Sequence, residues 1–330
     1  MRAPWPEAGE GTTIVDFRYH LVSIIAIFLA LALGIVVGTT ALNGALLDNL
    51  EASIGTLTAE KRALETDVNQ QRDLLSGGDQ LVEQLSERTV TGVLSGERVV
   101  VVSTPTAPSS VRDEVVPLLE AAGADVVGEV RLRPDLADPA RAEQVDAVLR
   151  DTTPARVDLD GADGPADRAA LVLAASLVRT PGEDPVVDEA QATTVLQAFA
   201  QADLVDVEGA LGGRSTLAVV LAGAPADPVP DPEAAARVTA LVVALAGALD
   251  AAGAGAVVAA PLAATEDGGV LGAVRDDAAL SARLTTVDGV DRPAGRLALV
   301  LALREQAAGG AGRYGTGPRA DAPLPALPAP

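Results

Sequence analysis

Residues 21–42 read LVSIIAIFLALALGIVVGTTAL and hold no charged side chain. At about 1.5 Å per residue, a helix over this run reaches roughly 30 Å, the thickness of a bilayer core. The rest of the chain is organised around this one expected transmembrane helix. Beyond it, Leu47, Leu50, Ile54, Leu57, Lys61, Leu64, Val68, Gln71 and Leu75 recur in alternating steps of three and four. That is the register of a coiled-coil seam, so a stalk is expected over residues 43–88. Lys61 and Gln71 are the polar members, which cost stability and help to fix register. In a parallel homodimer Asp67 would face Arg72 favourably while Glu60 would face Glu65 unfavourably, so both self-pairing and pairing with another protein's helix remain open. Gly77-Gly78 predicts an interruption, because each glycine costs a helix about 1 kcal/mol relative to Ala. Leu81, Val82 and Leu85 then resume an apolar face, as a hinge in the stalk or a helix folding back would require.

Charge flanking the span sets its expected orientation. Arg2 and Arg18 precede it, whereas the first basic residue after it is Lys61. Residues 1–20 are therefore expected in the cytoplasm and the C-terminal domain outside the cell membrane. Phe17 and Tyr19 stand where interfacial aromatics anchor a single-pass span. Ala30-Leu31-Ala32 resembles a signal-peptidase site, but it lies mid-span in an apolar run longer than an ordinary signal core. Within the span Ala26, Ala30, Gly34 and Gly38 recur every fourth residue. Such a stripe lets helix backbones approach closely and marks a transmembrane packing surface, although Ala and Gly are also ordinary constituents of spans.

The segment from residue 96 to 309 is long enough for an extracytoplasmic α/β domain. Its only aromatic residue is Phe199, so its core must be aliphatic. Val99-Val100-Val101-Val102 is a continuous apolar strand of the kind buried on both faces of a parallel sheet. A helix from Ser110 to Gly123 and a strand over 125–132 complete one βαβ unit. Asp138-Pro139 predicts a capped helix to about Arg150, and helices follow over 166–178 and 188–202, parted by Pro181-Gly182. A strand over 216–222, a helix capped by Asp231-Pro232 and running to Ala252, and a strand over 256–261 form a second βαβ unit. Residues 293–306 give a last amphipathic helix. The expected class is α/β, a Rossmann-like, mostly parallel sheet with helices on both faces. Residues 310–330, rich in Pro, Gly and Ala, read as a flexible tail with a possible docked turn at Tyr314.

The residue inventory excludes much chemistry. A net charge of −22 repels nucleic acid, and there is no Cys. The only His is His20 beside the span and the only Lys is Lys61, which removes His-based catalysis and Lys nucleophiles from the domain. Neither a Gly-x-Gly-x-x-Gly turn nor a P-loop follows any predicted strand, so no cofactor is expected. Acidic pairs such as Asp288 with Asp291 and Glu266 with Asp267 read as solvated loop residues, and no catalytic or metal site is assigned.

The run VDFRYHLVSIIAIFLALALGIVVGTTAL at 15–42, followed at once by a leucine-rich helix, resembles the N-terminal signature of the actinobacterial family named after mycobacterial copper transport protein B (MctB). The segments TTVDGVDRPAGRLALVLALREQ at 285–306 and RYGTG at 313–317 are similar to its C-terminal pattern. The resemblance implies a single-span envelope protein associated with copper efflux. Copper(I) prefers Cys and Met, and copper(II) prefers imidazole, ligands that residues 96–330 lack. An assembly or adaptor role, with a homo-oligomer or a helical membrane or cell-wall protein as partner, fits the residues better than a metal carrier. The alternative is an envelope scaffold that regulates cell-wall hydrolysis or division.

Overall fold

A computed structural model describes residues 14–209, 214–226 and 228–326, and the side chains of 14–16 and 40–49 lie outside that description. Arg2 and the side chain of Leu47 are among the residues not described. Two compact units divide at Leu75 and Ser76. Helix α1 (Ile14–Val90) contributes to both.

In the first unit, the stretch Phe17–Thr39 has a mean hydropathy of 2.9 and buries none of its residues within the chain. A helix that is apolar all round and unburied by protein has lipid as its natural solvent. Thr39 at its end donates its hydroxyl to the carbonyls of Ile35 at 2.8 Å and Val36 at 3.2 Å. The helix itself thus satisfies this polar group.

The expected break at Gly77-Gly78 does not occur, because α1 runs unbroken through both glycines to Val90. The physical reason lies in the second unit. There the helix's last turns bury Ser86 and Val90, and Asp79 and Glu83 are held by Arg292 and Arg296. These contacts offset the glycines' intrinsic cost. Residues 76–90 belong to the same compact unit as the domain, and the heptad seam, which ends at Leu75, lies in the other.

From there the chain forms β1 (Arg98–Ser103), α2 (Ser109–Ala121), β2 (Asp125–Leu132), α3 (Ala142–Thr152), α4 (Pro165–Leu177), α5 (Glu189–Gln201), β3 (Val205–Glu208) and β4 (Leu217–Leu221). It continues with α6 (Pro232–Ala252), β5 (Ala256–Ala260), α7 (Val270–Asp276), α8 (Ala278–Ser281), β6 (Thr285–Asp288), α9 (Pro293–Ala307) and β7 (Arg313–Tyr314). Strand order in the sheet is β3-β2-β1-β4-β5-β6-β7, and β3 alone pairs antiparallel. The α/β, mostly parallel architecture is thus as expected.

Alternation along β1 explains why its four valines are consecutive. Val100 and Val102 face a layer containing Val145, Leu173, Phe199, Leu245 and Leu271, from α3 to α7. Val99 and Val101 face Val115 and Leu119 of α2 and Leu299 and Leu303 of α9, together with Val90. Each face buries every second residue, so a strand covered on both faces can be apolar throughout. Phe199 is fully buried among aliphatic side chains. Helix α6 is apolar enough to cross a membrane by length and composition, yet Leu241, Val242, Leu245 and Leu249 are buried in this core.

Side-chain caps start several helices. Asp188 and Gln191 form a reciprocal capping box on α5, and Asp231 accepts from the Ala234 amide at the start of α6. Asp138 caps a short 3-10 turn, Pro139–Arg141, that leads into α3.

Two elements depart from the sequence reading. Strand β6 carries Thr285 and Thr286, both fully buried, because Gln306 and Arg275 supply their hydrogen-bond partners. The segment assigned to a flexible tail instead enters the sheet. Arg313 and Tyr314 pair with Thr286 and Val287, and Ala322 bridges Tyr314 in turn.

Candidate functional site

All the residues that the sequence marks as interacting lie on α1. Ala26, Ala30, Gly34 and Gly38 fall on one stripe by their spacing of four, and a Cβ added at either glycine would meet nothing within 4 Å. In the seam, Leu50, Ile54, Leu57, Leu64, Val68 and Leu75 are all exposed. Lys61 at its centre pairs with Glu65 at 3.4 Å, one turn along the same helix. This is a surface ion pair worth little by itself, so Lys61 stays free to reorganise when the seam is covered.

Within the second unit, helix α9 grips the last turns of α1. Arg292 reaches Asp79 at 2.6 Å, and Arg296 bridges Glu83 at 3.0 Å and Glu114 of α2 at 2.5 Å. The Arg296 side chain is 7% exposed, so its charge is balanced in a desolvated position. Sequence reasoning missed this contact. Its only trace was Arg292 and Arg296, one helical turn apart within the C-terminal motif.

Open α/β folds generally take ligands at the carboxyl edge of the sheet, at the topological switch point. The switch point lies between β1 and β4. There the Thr104 amide donates to the Leu221 carbonyl at 2.8 Å, and the hydroxyls of Thr104 and Thr106 lie 3.1 Å apart. The Thr106 carbonyl comes so close to Gly223 that any Cβ there would overlap it at 1.9 Å. Backbone therefore fills the space that a phosphate-binding turn would leave open.

At the end of β6, Asp288 forms a second closed arrangement. Its carboxylate, fully buried, lies 3.0 Å from the Arg275 guanidinium, which is 1% exposed. It also accepts the amides of Thr316 at 2.8 Å and Gly317 at 3.1 Å. Arg275 in turn donates to the carbonyls of Tyr314 at 2.9 Å and Pro318 at 3.0 Å. Gly315, at φ +124°, passes so near the Asp288 carboxyl that a side chain has no room. Burial lowers the Arg275 pKa, with the hydrogen bond and attraction of Asp288 opposing it. Every group here is spoken for, and the arrangement is a latch holding the RYGTG loop to the sheet. Asp288, read from sequence as a solvated loop acid, is instead the buried centre of this latch.

Among the described residues no group of three or more His, Asp or Glu side chains is placed to hold a metal ion. His20 lies exposed on α1, far along the chain from the domain.

Comparison with known proteins gives one consistent family. The family described as "Copper transport outer membrane protein, MctB" matches residues 14–325. The protein named "Copper transporter MctB" of Mycobacterium tuberculosis (strain ATCC 25618 / H37Rv) is 29% identical over 310 residues, covering 92% of this chain and 97% of its own. Its namesake in Mycobacterium leprae (strain TN) is 28% identical over 320 residues, with the same coverage of both chains.

Proposed function

The chain belongs to the MctB family, and we propose that it serves copper homeostasis as a membrane-anchored assembly component and not as the metal carrier. The observation that carries this reading is a division of labour along the sequence. Residues 96–330 contain no His, Cys or Met, leaving carboxylates, carbonyls and amides, which suit harder ions than copper(I). The exposed apolar seam from Leu50 to Leu75, by contrast, is a surface that water disfavours and a partner helix would cover. Its partner is a second copy of the chain or a helix of another envelope protein, with the stripe Ala26, Ala30, Gly34 and Gly38 packing alongside in the bilayer.

Orientation follows the basic residues before the span, with the N-terminus cytoplasmic and the α/β domain outside. A reporter active only outside the membrane should work when fused after residue 326, and activity there from a cytoplasm-only reporter would refute the orientation.

The functional test has two arms. Cells lacking the protein should regain copper tolerance with the wild-type chain but not with an Ile54→Asp/Leu57→Asp/Leu64→Asp seam variant that still reaches the membrane. In parallel, the purified chain in neutral detergent should hold copper(I), against a calibrated chelator, no better than an acidic protein of similar charge. Stoichiometric tight binding that survives His20→Ala would restore a carrier role. Full tolerance with the seam variant would remove the assembly role, and altered division morphology without copper sensitivity would point to an envelope scaffold.

A further inference from the structure

The chain carries far more acid than base, so an arginine without a carboxylate needs a reason. Most arginines of the second unit have one: Arg112, Arg133, Arg168, Arg275, Arg283 and Arg296, for example, all form ion pairs. Of those without an ion pair among the described residues, Arg88, Arg150 and Arg304 stand in the last turns of α1, α3 and α9. There the negative end of the helix dipole accounts for them. Arg156, Arg179 and Arg214 have neither account, and all three line one cavity of about 340 Å3.

Backbone pairing brings two of them together. Val178, just past α4, bridges Ser215, just before β4, and the Arg179 amide donates to the Ser215 carbonyl at 2.9 Å. Arg179 and Arg214 therefore flank the same bridge, though 35 positions apart by their numbers. Both are half-buried. The Arg214 pKa is lowered, first by burial and then by repulsion from Arg179, while attraction to Asp188 and Glu189 acts the other way without outweighing them. Arg156 approaches from the loop after α3, where it donates to the Pro185 carbonyl at 3.2 Å. The inner wall is apolar, formed by Leu171 and Ala175 of α4, Val178 just past it, and Ala248 and Ala252 of α6. A concave, largely apolar pocket with a few converging polar groups is the usual form of a small-molecule site. Guanidinium forks match the geometry of phosphate and carboxylate oxygens. Asp158, Glu183 and Asp184 stand exposed around the cavity and pair with none of the three arginines, so the site suits a single oxyanion group better than a polyphosphate.

We propose that this cavity is an oxyanion site, in which Arg179 and Arg214, with Arg156 at the rim, bind the phosphate or carboxylate of a small ligand whose apolar body lies against Val178, Ala248 and Ala252. The site lies far from the α1 seam in sequence, and its proposal does not depend on the assembly role.

The test uses the full chain in a maltoside detergent, which brings no phosphate or carboxylate of its own. Phenyl phosphate and benzoate are titrated by calorimetry, with benzyl alcohol as the neutral control and dihexanoyl phosphatidic acid as the lipid-headgroup form of the same chemistry. One saturable site per chain is expected for at least one anionic probe and none for benzyl alcohol. Tighter binding of the lipid form than of phenyl phosphate assigns the source as a membrane headgroup, and the reverse assigns a free small molecule. Arg214→Gln and Arg179→Gln should each weaken binding roughly tenfold to a hundredfold. Unliganded Arg179→Gln should melt no lower than wild type, since it removes the repulsion on Arg214 and leaves that residue's attraction to Asp188 and Glu189 in place, whereas a purely structural arginine would lower the melting temperature. Arg214→Lys should retain part of the affinity and guards against misfolding of the glutamine variants. Absence of saturation by every anionic probe up to about 1 mM, or undiminished binding in the Arg179→Gln/Arg214→Gln protein, would overturn the proposal.

Discussion

Replacing Arg275 by Met keeps most of the side chain's length and removes all of its donors. The change strips the fully buried Asp288 carboxylate of its 3.0 Å counter-ion and leaves the Thr286 hydroxyl and the carbonyls of Tyr314 and Pro318 without this donor. Asp288 retains only the amides of Thr316 and Gly317. Breaking one side of a buried pair typically costs about 3–5 kcal/mol, because the remaining charge stays desolvated. The cost should fall locally, since β7 pairs with the sheet through only two residue pairs and the latch is the buried charge pair that ties the loop after it to β6. Hydrogen exchange followed by mass spectrometry on peptides covering 313–322 reads that loss directly. At about 1.4 kcal/mol per factor of ten, exchange there should accelerate by roughly two to almost four decades, with far smaller change in β1 and β4. Less than a tenfold acceleration at 313–322 would refute the reasoning, because it would mean that the pair contributes no more than an exposed one. Asp288→Asn should also accelerate exchange at 313–322, since it keeps an acceptor for the two amides but leaves the buried Arg275 charge without its counter-ion.

Gly34→Leu/Gly38→Leu should weaken association of the α1 span in a membrane dimerisation assay, and unchanged association would leave the stripe without a packing role. Arg296→Ala should release Glu83 and Glu114 and expose the cost of Gly77-Gly78, accelerating exchange across residues 77–86 by roughly fivefold to a hundredfold for a loss of about 1–3 kcal/mol. Tyr314 has its pKa raised well above the ordinary tyrosine value, first by burial and then by its hydrogen bond to Glu305. Its contribution to stability is therefore full below the unfolded-state value near 10 and is lost as pH rises beyond it, so Tyr314→Phe should reduce the fall in denaturant midpoint between about pH 9 and about pH 11.

Sequence alone determined the elements whose cause is local. An uncharged run of bilayer length can only be a helix in lipid or a deeply buried one. Four consecutive valines in β1 imply cover on both faces of a parallel sheet, and Asp231-Pro232 announces α6 through a cap and a first turn that the next few residues complete. What the sequence left undecided depends on partners distant along the chain. Two glycines in succession weaken a helix, yet α1 continues because Arg292 and Arg296, 213 positions beyond Asp79 and Glu83, hold its last turns. The polar strand β6 and the docked Arg313–Tyr314 pair are strand-like only once Arg275, Gln306 and Asp288 converge on them. Arg179 and Arg214 carry no motif, and only the pairing of Val178 with Ser215 sets them beside one cavity. Local propensity acts within a turn or a strand, whereas desolvated charges take their meaning from whatever the fold brings within about 4 Å of them.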